Sequence, residues 1–453
     1  MRPLRPVPEP PSPGFTPTRL LEIELSRPLP SLGSGRAPDG RRYEQALVFT
    51  RLHDEPLGLV TAQLDDGRLS SDALASHLWA ELESAIQTHL AHDELRPVDR
   101  LASHGIASGQ PAACQIARDR FLTDAPPLSV IVPTRERPER LARCLDSILA
   151  CEYPADRVDI VVVDNAPVTD STRRLVEEYS RSTGPVRYAR EDAPGSASAR
   201  NRGLQVIKHD LVAMTDDDVL VDRHWLTELA RTFQAFPAAA SVTGLLLPMQ
   251  LDTPAQDWFE QYGGFSRGFR RRIFDLQDHR PSGEPLYPWA AGIFGTGNNF
   301  AFRASRLRAM GAFDPALGNG TPALGGVDSE VLLRTILNGH QIVYEPRAVV
   351  HHAHRPDYAA LRRQVYSYGV GLTAYYLKTL HDDPRRLLDF GRRLPEGLRW
   401  MRNPDAHVNQ HKRDDYPLEL GRLELRGMMY GPLAYVRSRR RYGPHRVRPQ
   451  GRR

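Results

Sequence analysis

Residues 211–218 read Leu-Val-Ala-Met-Thr-Asp-Asp-Asp, a short apolar run that is followed directly by three carboxylates. Carboxylates this close in the chain repel one another, and a fold that gathers them at a strand end usually neutralises them with a divalent cation. The triplet Asp216, Asp217 and Asp218 therefore predicts a metal site. The alternative for an isolated acidic triplet is a bare turn, and the pattern that precedes it argues against that interpretation.

The chain before the triplet alternates between apolar strands and amphipathic helices. Residues 128–133, Leu-Ser-Val-Ile-Val-Pro, form a continuous apolar run typical of a strand buried on both faces of a parallel sheet. Helical periodicity begins at Pro138, and further strands are predicted at 158–163, 186–189 and 211–215. This alternation predicts an α/β fold with a doubly wound, mostly parallel sheet. Such sheets bind ligands at the carboxyl ends of their strands, where Asp164 and the acidic triplet fall.

Composition limits the class of protein. The 453 residues are enough for a large domain with appendages, and no segment approaches the roughly 18–20 continuous apolar residues of a membrane span. We therefore expect a cytoplasmic protein. The three cysteines lack metal-ligand spacing, which favours reduced, packed thiols over disulfides or a zinc site. The formal net charge is +5 and is concentrated at the C-terminus, where a solvated tail is the commoner meaning, so no nucleic-acid partner is expected.

Changes in composition and periodicity divide the chain into six predicted regions. The first is rich in proline, the second has α+β periodicity and an unknown role, and the third is rich in Gly, Pro and Ala. The predicted regions are a disordered segment at 1–17, a small α+β unit at 18–104, a linker at 105–126, the main α/β domain at 127–355, a helical C-terminal region at 356–436 and a basic tail at 437–453.

The familiar glycine-rich phosphate loops are missing from the sequence. There is no GxxxxGK[ST] motif, and Gly295-Thr296-Gly297 neither has a third glycine nor opens a helix after the first strand. If a nucleotide binds to this chain, a metal ion rather than a glycine cradle is expected to hold its phosphates.

The order and spacing of the motifs resemble family 2 glycosyltransferases of bacterial type, with additional N-terminal and C-terminal regions. The resemblance extends over residues 128–355, about half of the chain, and is carried by VIVPT at 130–134, VVVDN at 161–165, ARNRG at 199–203, TDDD at 215–218, GTGNNFAFR at 295–303, GVDSE at 326–330 and GHQIVYEP at 339–346. It implies the GT-A fold, a nucleoside diphosphate sugar donor and an inverting transfer.

The resemblance also implies a metal site at the acidic triplet. Asp216 and Asp218 correspond to the DxD motif, with Asp218 the preferred direct ligand and Asp217 a neighbour that orients water or ribose. Oxygen ligands suit Mg²⁺ or Mn²⁺, and the sequence does not choose between them. His354, which follows a predicted strand with His351 and His352, is a candidate additional ligand, although histidines at a strand end are also common without a metal.

Further residues are implied to bind the donor. Asp164 matches the position that accepts a hydrogen bond from the nucleotide base, with an Asx turn or a helix cap as the alternative. Arg200 lies in the segment expected against the base and the diphosphate, with a surface salt bridge as the alternative. Pro133, Thr134 and Arg135 at the end of the first strand are expected to frame the same pocket.

Asp328 is the candidate catalytic base. An inverting transfer is one displacement, so a carboxylate must accept the proton of the attacking hydroxyl. Asp328 corresponds to the aspartate of the family's ED motif, just before an apolar helix, and a helix N-cap is its structural alternative. The chain departs from the family at Val327, where a glutamate is common, and Glu330 stands where a second acid often lies.

The sequence thus predicts a metal-dependent, inverting glycosyltransferase that moves a sugar to an acceptor hydroxyl. The acceptor is open: a lipid-linked sugar, a glycan or a small molecule. Contact of the C-terminal region with the inner face of a membrane also stays open beside intramolecular packing, which is favoured. Two other functions compete, a sugar nucleotidyltransferase and a catalytically silent module that binds nucleotide sugars or carbohydrate. The first normally has a glycine-rich loop after its first strand, which 133–138 lacks.

Overall fold

The computed structural model describes residues 9–10, 12, 14–107, 109–403, 409 and 411–443. Its strands are β1 Thr18–Glu24, β2 Gln45–Leu52, β3 Glu55–Gln63, β4 Leu128–Thr134, β5 Val158–Asn165, β6 Val186–Glu191, β7 Leu211–Met214, β8 Val219–Val221, β9 Ala239–Pro248, β10 Arg272–Phe274, β11 Phe300–Arg303 and β12 Gln341–His352. Its α-helices are α1 Ser71–His92, α2 Ala113–Thr123, α3 Pro138–Leu149, α4 Ser171–Thr183, α5 Ser196–Val206, α6 Trp225–Ala235, α7 Pro254–Gln261, α8 Ala304–Ala309, α9 Val327–Leu337, α10 Tyr358–Asp382, α11 Leu387–Arg402 and α12 Leu418–Tyr442.

A nine-stranded sheet forms the centre of the molecule. Its strands lie in the order β10-β12-β9-β11-β7-β4-β5-β6, and β8 pairs with β12 outside this path. The four strands β6, β5, β4 and β7 are parallel, and β11 runs antiparallel between β7 and β9. The carboxyl ends of β4, β5 and β7 therefore meet at one edge of the sheet, where the predicted site residues follow.

Strand β4 is buried on both faces, as its continuous apolar run predicts. Val130 and Val132 belong to the core on one side, together with Leu141 of α3, and Ile131 belongs to the core on the other side. Helix α5 packs tightly against that second side, because a Cβ on Gly203 would lie 2.6 Å from the side chain of Ile131. The glycine of the Arg-Asn-Arg-Gly segment thus lets α5 approach the sheet.

The N-terminal unit is a three-stranded sheet with a helix, and it is docked on the main domain. β1 pairs parallel with β2, β2 pairs antiparallel with β3, and α1 covers the sheet. Ion pairs join this unit to the main domain, among them Arg51 Nη2 to Asp222 Oδ2 at 2.5 Å and Arg347 Nη1 to Glu55 Oε1 at 2.9 Å.

The C-terminal helices pack back on the main domain. The α10 and α12 backbones cross in direct contact, because a Cβ on Gly427 would lie 2.3 Å from the carbonyl oxygen of Tyr366. The hydroxyl of the buried Tyr375 donates to the carbonyl of Trp289 at 2.9 Å. No helix among the described residues combines the length and the apolar character needed to cross a bilayer.

The predicted fold class, with its α/β sheet, small N-terminal α+β unit and helical C-terminal appendage, is confirmed. Two details differ from the predictions. The predicted linker at 105–126 contains helix α2, and α12 continues to Tyr442, beyond the predicted start of the tail at 437. Residues 444–453 of that tail and most of the predicted disordered segment, 1–8, 11 and 13, lie outside the described residues.

Candidate active site

A large cavity opens at the carboxyl edge of the sheet, with a volume of about 1880 Å³. It lies between the ends of β4 and β7, the first turns of α5 and α9, and the face of α10. The sequence-predicted residues that line it are Pro133, Thr134, Arg135, Arg200, Asp216, Asp217, Asp218 and Asp328. One cavity therefore collects most of the residues that the sequence predicts for the site.

Arg200 joins two of the predicted carboxylates. Its Nη2 donates to Asp216 Oδ1 at 3.0 Å, and its Nη1 donates to Asp328 Oδ1 at 2.9 Å. The arginine is only 2% exposed and its guanidinium lies over the ring of Phe300 at 5.3 Å. A guanidinium fits two carboxylates because its donors spread in one plane. The structure thus commits the Arg200 side chain to positioning these acids, whereas the sequence analysis expected it against the diphosphate.

Asp216 lies directly after β7 and is held at both oxygens. Asn298 Nδ2 donates to its Oδ2 at 3.0 Å, and Arg200 occupies its Oδ1. Burial raises the pKa of Asp216 to about 7, with the neighbouring carboxylates adding to the increase and Arg200 opposing it. The site therefore carries more negative charge than Arg200 neutralises at this position.

Asp328 stands in the first turn of α9, above a glycine that leaves room for it. The helix starts after Gly326, whose φ of +83° is in the left-handed region. A Cβ on Gly297 would lie 2.2 Å from the carboxyl carbon of Asp328. The Asp328 side chain is 34% exposed and faces the cavity. Gly297 thus allows the carboxylate to lie between the cavity and Arg200.

The other two residues of the triplet differ in their surroundings. Asp217 is buried and accepts from the Thr134 hydroxyl at 2.7 Å and from Arg137 Nη1 at 3.1 Å. Asp218 has Arg140 Nη1, Arg355 Nη2 and His352 Nε2 at 3.5–3.7 Å from its oxygens. Burial alone would raise the pKa of Asp218, but His352, Arg355 and Arg137 lower it to about 2. Asp218 therefore favours its ionised form more strongly than Asp216 and Asp217, whose pKa values burial raises.

His352, rather than His354, reaches Asp218. His354 is buried behind it, with Nδ1 at 3.3 Å from His352 Nδ1 and Nε2 at 2.6 Å from Glu260 Oε1. The sequence pattern placed both histidines on one side of a strand, but β12 ends at His352, so the two rings do not point the same way.

Asp164 lies just below the cavity surface. The residue is fully buried, its Oδ2 accepts from the Tyr188 hydroxyl at 3.0 Å, and its Oδ1 has no hydrogen-bond partner among the described residues. Burial raises the pKa of this carboxyl. The next residue, Asn165, lines the cavity and accepts from the backbone N–H of Gly195 at 2.8 Å. Asp164 thus has an unsatisfied acceptor but no open surface in this conformation.

Glu330 does not line the cavity but is paired with two buried cations. It is buried and pairs with Lys378 and with Arg334, whose Nε lies 2.8 Å from Oε1. Although burial opposes it, these two cations lower the pKa of Glu330 to about 2. Glu330, two residues after Asp328, therefore connects α9 to α10.

The sequence analysis missed several cations of the cavity. Arg137 and Arg140 belong to the start of α3, and Arg355 follows β12. These arginines do not form a recognisable sequence motif. Only the meeting of β4, β7 and β12 at one edge brings them around Asp218.

Comparisons with known proteins match two overlapping parts of the chain. Residues 129–275 match the model of Glycosyl transferase family 2, and residues 211–404 match that of Glycosyl transferase family group 2. The relatives include the glucosyl-dolichyl phosphate glucuronosyltransferase of Haloferax volcanii, 24% identical over 50% of this chain and 68% of the relative. They also include the pre-mycofactocin glycosyltransferase of Mycobacterium tuberculosis, 27% identical over 36% of this chain and 30% of that protein.

A further relative and a solved structure are also similar to this chain. The glycosyltransferase AglE of Haloferax volcanii is 29% identical over 22% of this chain and 33% of that protein, so the chain spans about a third of its length. Among solved structures, a mannosyltransferase of Pyrobaculum calidifontis in complex with GDP-Man and Mn²⁺ is similar with a TM-score of 0.43 and 18% identity, over 72% of this chain and 92% of that one.

The substitution Gly297→Ala tests how the carboxylate of Asp328 is held. The new Cβ overlaps that carboxylate, so we expect the contact of 2.9 Å between Arg200 Nη1 and Asp328 Oδ1 to break. A crystal structure of the variant measures this distance. Gly292→Ala is the matched control, because Gly292 lines the same cavity and its Cβ would meet no atom closer than 4.0 Å. An intact Arg200–Asp328 pair in Gly297→Ala would contradict this assignment.

Proposed function

Because this chain belongs to glycosyl transferase family 2 and is a glycosyltransferase, we propose that it transfers one sugar from a nucleoside diphosphate donor to an acceptor hydroxyl with inversion. The observation that carries the proposal is the Arg200 bridge, which links Asp216 on the donor side to Asp328 on the acceptor side. A single displacement needs the leaving group and the base on opposite sides of one carbon atom, held in a fixed relation.

The residues around the acidic triplet fit a divalent cation. Asp216 and Asp218 offer carboxylate oxygens, and His352 Nε2 lies 3.5 Å from Asp218 Oδ1 at the cavity wall. Burial is the largest cause of the raised pKa of Asp216, and the carboxylates of Asp218, Asp328 and Asp217 add to it, so a cation beside them would relieve part of the cost of ionising this group. A carboxylate and imidazole set suits Mn²⁺, and carboxylates alone also suit Mg²⁺. When bound there, the cation supplies positive charge to the departing diphosphate oxygens.

His354 is proposed to support the metal site by orienting His352. Its contact with His352 and its hydrogen bond to Glu260 orient the ring that faces Asp218. A residue that orients a metal-binding histidine contributes to affinity without touching the ion.

Arginines beside the triplet are proposed to bind the diphosphate. Arg137, Arg140 and Arg355 are 45%, 47% and 36% exposed at their side chains and surround the Asp218 carboxylate. Guanidinium groups bind phosphate oxygens in a bidentate manner. The sequence analysis expected Arg200 against the base and the diphosphate, and we propose that these more exposed arginines bind the diphosphate oxygens instead. Pro133, Thr134 and Arg135 frame the adjoining surface. Asp164 is proposed to accept from the nucleotide base through its unpartnered Oδ1, which requires a local movement that exposes this buried atom.

Asp328 is proposed as the base. Arg200 donates to Oδ1, and Oδ2 accepts no hydrogen bond from the described residues, so it is available to an acceptor hydroxyl. Oδ2 takes the hydroxyl proton while the hydroxyl oxygen attacks the anomeric carbon, and the bond to the diphosphate breaks on the opposite face.

We further propose that the acceptor is presented at a membrane surface. On α12 the exposed apolar residues are separated by seven, four, four and three positions, which places them on one helix face: Leu418, Leu425, Met429, Leu433 and Val436. Exposed arginines flank this face at positions 422, 426, 437 and 440. Apolar and basic residues combined in this way bind anionic lipid surfaces. Leu425 also borders the cavity, so a lipid-linked acceptor on that surface would be near the site.

Nucleoside diphosphate release from a panel of UDP-, dTDP- and GDP-sugars tests the transfer, with Mn²⁺ and candidate acceptors present. Asp218→Ala is expected to abolish metal-dependent donor binding. Asp328→Asn is expected to keep donor binding and to lower kcat by about 10²–10⁴-fold, the usual contribution of a general base. Asp156→Ala, which removes an exposed carboxylate remote from the cavity, serves as the control.

Other outcomes of this experiment distinguish the competing functions. Unchanged transfer by Asp328→Asn would remove Asp328 from the base role. Pyrophosphate release from a sugar phosphate and a nucleoside triphosphate would indicate a nucleotidyltransferase, and tight donor binding without turnover would indicate a silent binding module.

Sedimentation with vesicles tests the membrane surface. We expect the chain to sediment with phosphatidylglycerol-containing vesicles, and Met429→Glu with Leu433→Glu to weaken binding at least about tenfold, because two apolar side chains no longer enter the lipid. Val168→Glu is the matched control, since Val168 is 80% exposed but stands alone on another face. Equal binding by all three proteins would rule out this face of α12.

A further inference from the structure

A second cluster of metal-ligating side chains lies outside the cavity, in the N-terminal unit. His53 follows β2, His89 and Asp93 stand at the end of α1, and Cys114 is in the first turn of α2. All four residues are buried, and one ligand atom from each lies within 4.8 Å of all the others. The cluster therefore brings two imidazoles, a carboxylate and a thiol to one point in the interior.

The distances within the cluster are short and centre on one oxygen. Asp93 Oδ2 lies 2.9 Å from His53 Nδ1, 3.0 Å from His89 Nε2 and 3.0 Å from Cys114 Sγ. The two ring nitrogens are themselves 3.0 Å apart. Two ring nitrogens and the thiol thus gather around the same carboxylate oxygen, and all four ligand atoms lie within 4.8 Å of one another.

Hydrogen bonds alone do not account for this arrangement. If both ring nitrogens carry protons to Asp93 Oδ2, the two N–H groups face each other at 3.0 Å. If only one carries a proton, its N–H can be shared between Asp93 Oδ2 and the other ring nitrogen, but the lone pair of that second nitrogen still lies 2.9–3.0 Å from the carboxylate oxygen. A cation at the centre removes both conflicts, because all three atoms then direct lone pairs at positive charge, and the thiol joins them as a thiolate.

The surroundings resemble those of a metal site as well. His89 Nδ1 lies 3.7 Å from Glu55 Oε2, so a carboxylate stands behind this ring. Asp93 Oδ1 accepts from the backbone N–H of Cys114 at 2.9 Å, which leaves Oδ2 directed at the cluster. The His53 ring makes its contacts through Nδ1, since Nε2 is buried without a hydrogen-bond partner among the described residues. The outer contacts of His89 with Glu55 and of Asp93 with the Cys114 N–H are of the kind that orients metal ligands.

We propose that His53, His89, Asp93 and Cys114 bind a structural zinc ion. The mixture of imidazole nitrogen, carboxylate oxygen and thiolate sulfur suits Zn²⁺, and four protein ligands complete its tetrahedral coordination. Ligand atoms around such an ion stand roughly 3.3–3.7 Å apart, so binding would spread the present contacts by a few tenths of an ångström. Because all four residues are buried, the site has no open position for substrate.

The zinc ion would fasten three segments of the chain to one another. It joins the tight turn after β2, where His53 and Asp54 have φ of +54° and +69°, to the end of α1 and the start of α2. Helix α2 then contacts the main domain through Arg118, whose Nε lies 3.5 Å from Glu228 Oε1. The site therefore couples the fold of the N-terminal unit to the segment that leads into β4.

The sequence analysis disfavoured a zinc site because the ligands have no recognisable spacing. Only His89 and Asp93 are close in the chain, one helical turn apart, and the others lie 36 and 21 residues away along the chain. The single cysteine also lacks a second cysteine at a metal-ligand distance. Tertiary structure alone brings the four together.

Metal analysis of the full-length protein tests the proposal. Protein produced in zinc-supplemented medium and dialysed against a weak chelator is expected to retain about one zinc ion per chain by mass spectrometry. Cys114→Ala should lose it, and Cys151→Ala, which removes a thiol outside the cluster, should retain it. Replacement of zinc by Co²⁺ in the unsubstituted protein should give a thiolate-to-cobalt charge-transfer band that Cys114→Ala lacks.

The cobalt spectrum keeps the test decisive even if Cys114→Ala does not fold. A band in the unsubstituted protein requires a thiolate ligand, which the carboxylate and imidazole set of the cavity does not offer. Absence of both stoichiometric zinc and this band would overturn the proposal, as would zinc retention by a folded Cys114→Ala variant. Neither result depends on sugar transfer, so the proposed function stands or falls separately.

Discussion

Arg200 carries a positive charge into a region where only 2% of the residue meets water, and two carboxylates compensate it. Losing one partner of a fully buried pair costs about 3–5 kcal/mol. The cost is smaller here, because the Asp216 and Asp328 side chains are 33% and 34% exposed. The position of Arg200 nevertheless requires that the end of β7, the loop before β11 and the first turn of α9 meet on one side of α5.

Because Arg200 pairs with both Asp216 and Asp328, it fixes the two sides of the cavity relative to each other. Asp216 belongs to the acidic turn that also presents Asp218 to the exposed arginines, and Asp328 belongs to the helix that borders α10. Glu330 and Lys378 anchor that helix to α10 through a buried ion pair. A small movement of the C-terminal helices would therefore shift Asp328. These helices thus support the site in addition to forming part of the protein surface.

Much of the fold could be predicted from local pattern. The apolar run at 128–133 and the alternation after it fixed neighbouring strands, and parallel strands bring their carboxyl ends together, so the meeting of Thr134 with the triplet follows from topology. Non-local contacts could not be predicted. The partners of Arg200 are 16 and 128 residues away in the chain, and helix α2 was hidden in a segment whose composition is typical of a linker. The sequence pattern also did not show that β12 ends at His352, which separates the surroundings of His352 from those of His354.

The central claim is that Asp216 and Asp218 clamp a divalent cation on the donor side of the Arg200 bridge. Anomalous diffraction from crystals soaked with Mn²⁺ and a nucleoside diphosphate tests it most directly. The predicted result is a manganese peak in contact with the Asp218 carboxylate, facing the cavity and next to density for the diphosphate. Diphosphate density in the cavity without a manganese peak, or a peak remote from both aspartates, would contradict the claim.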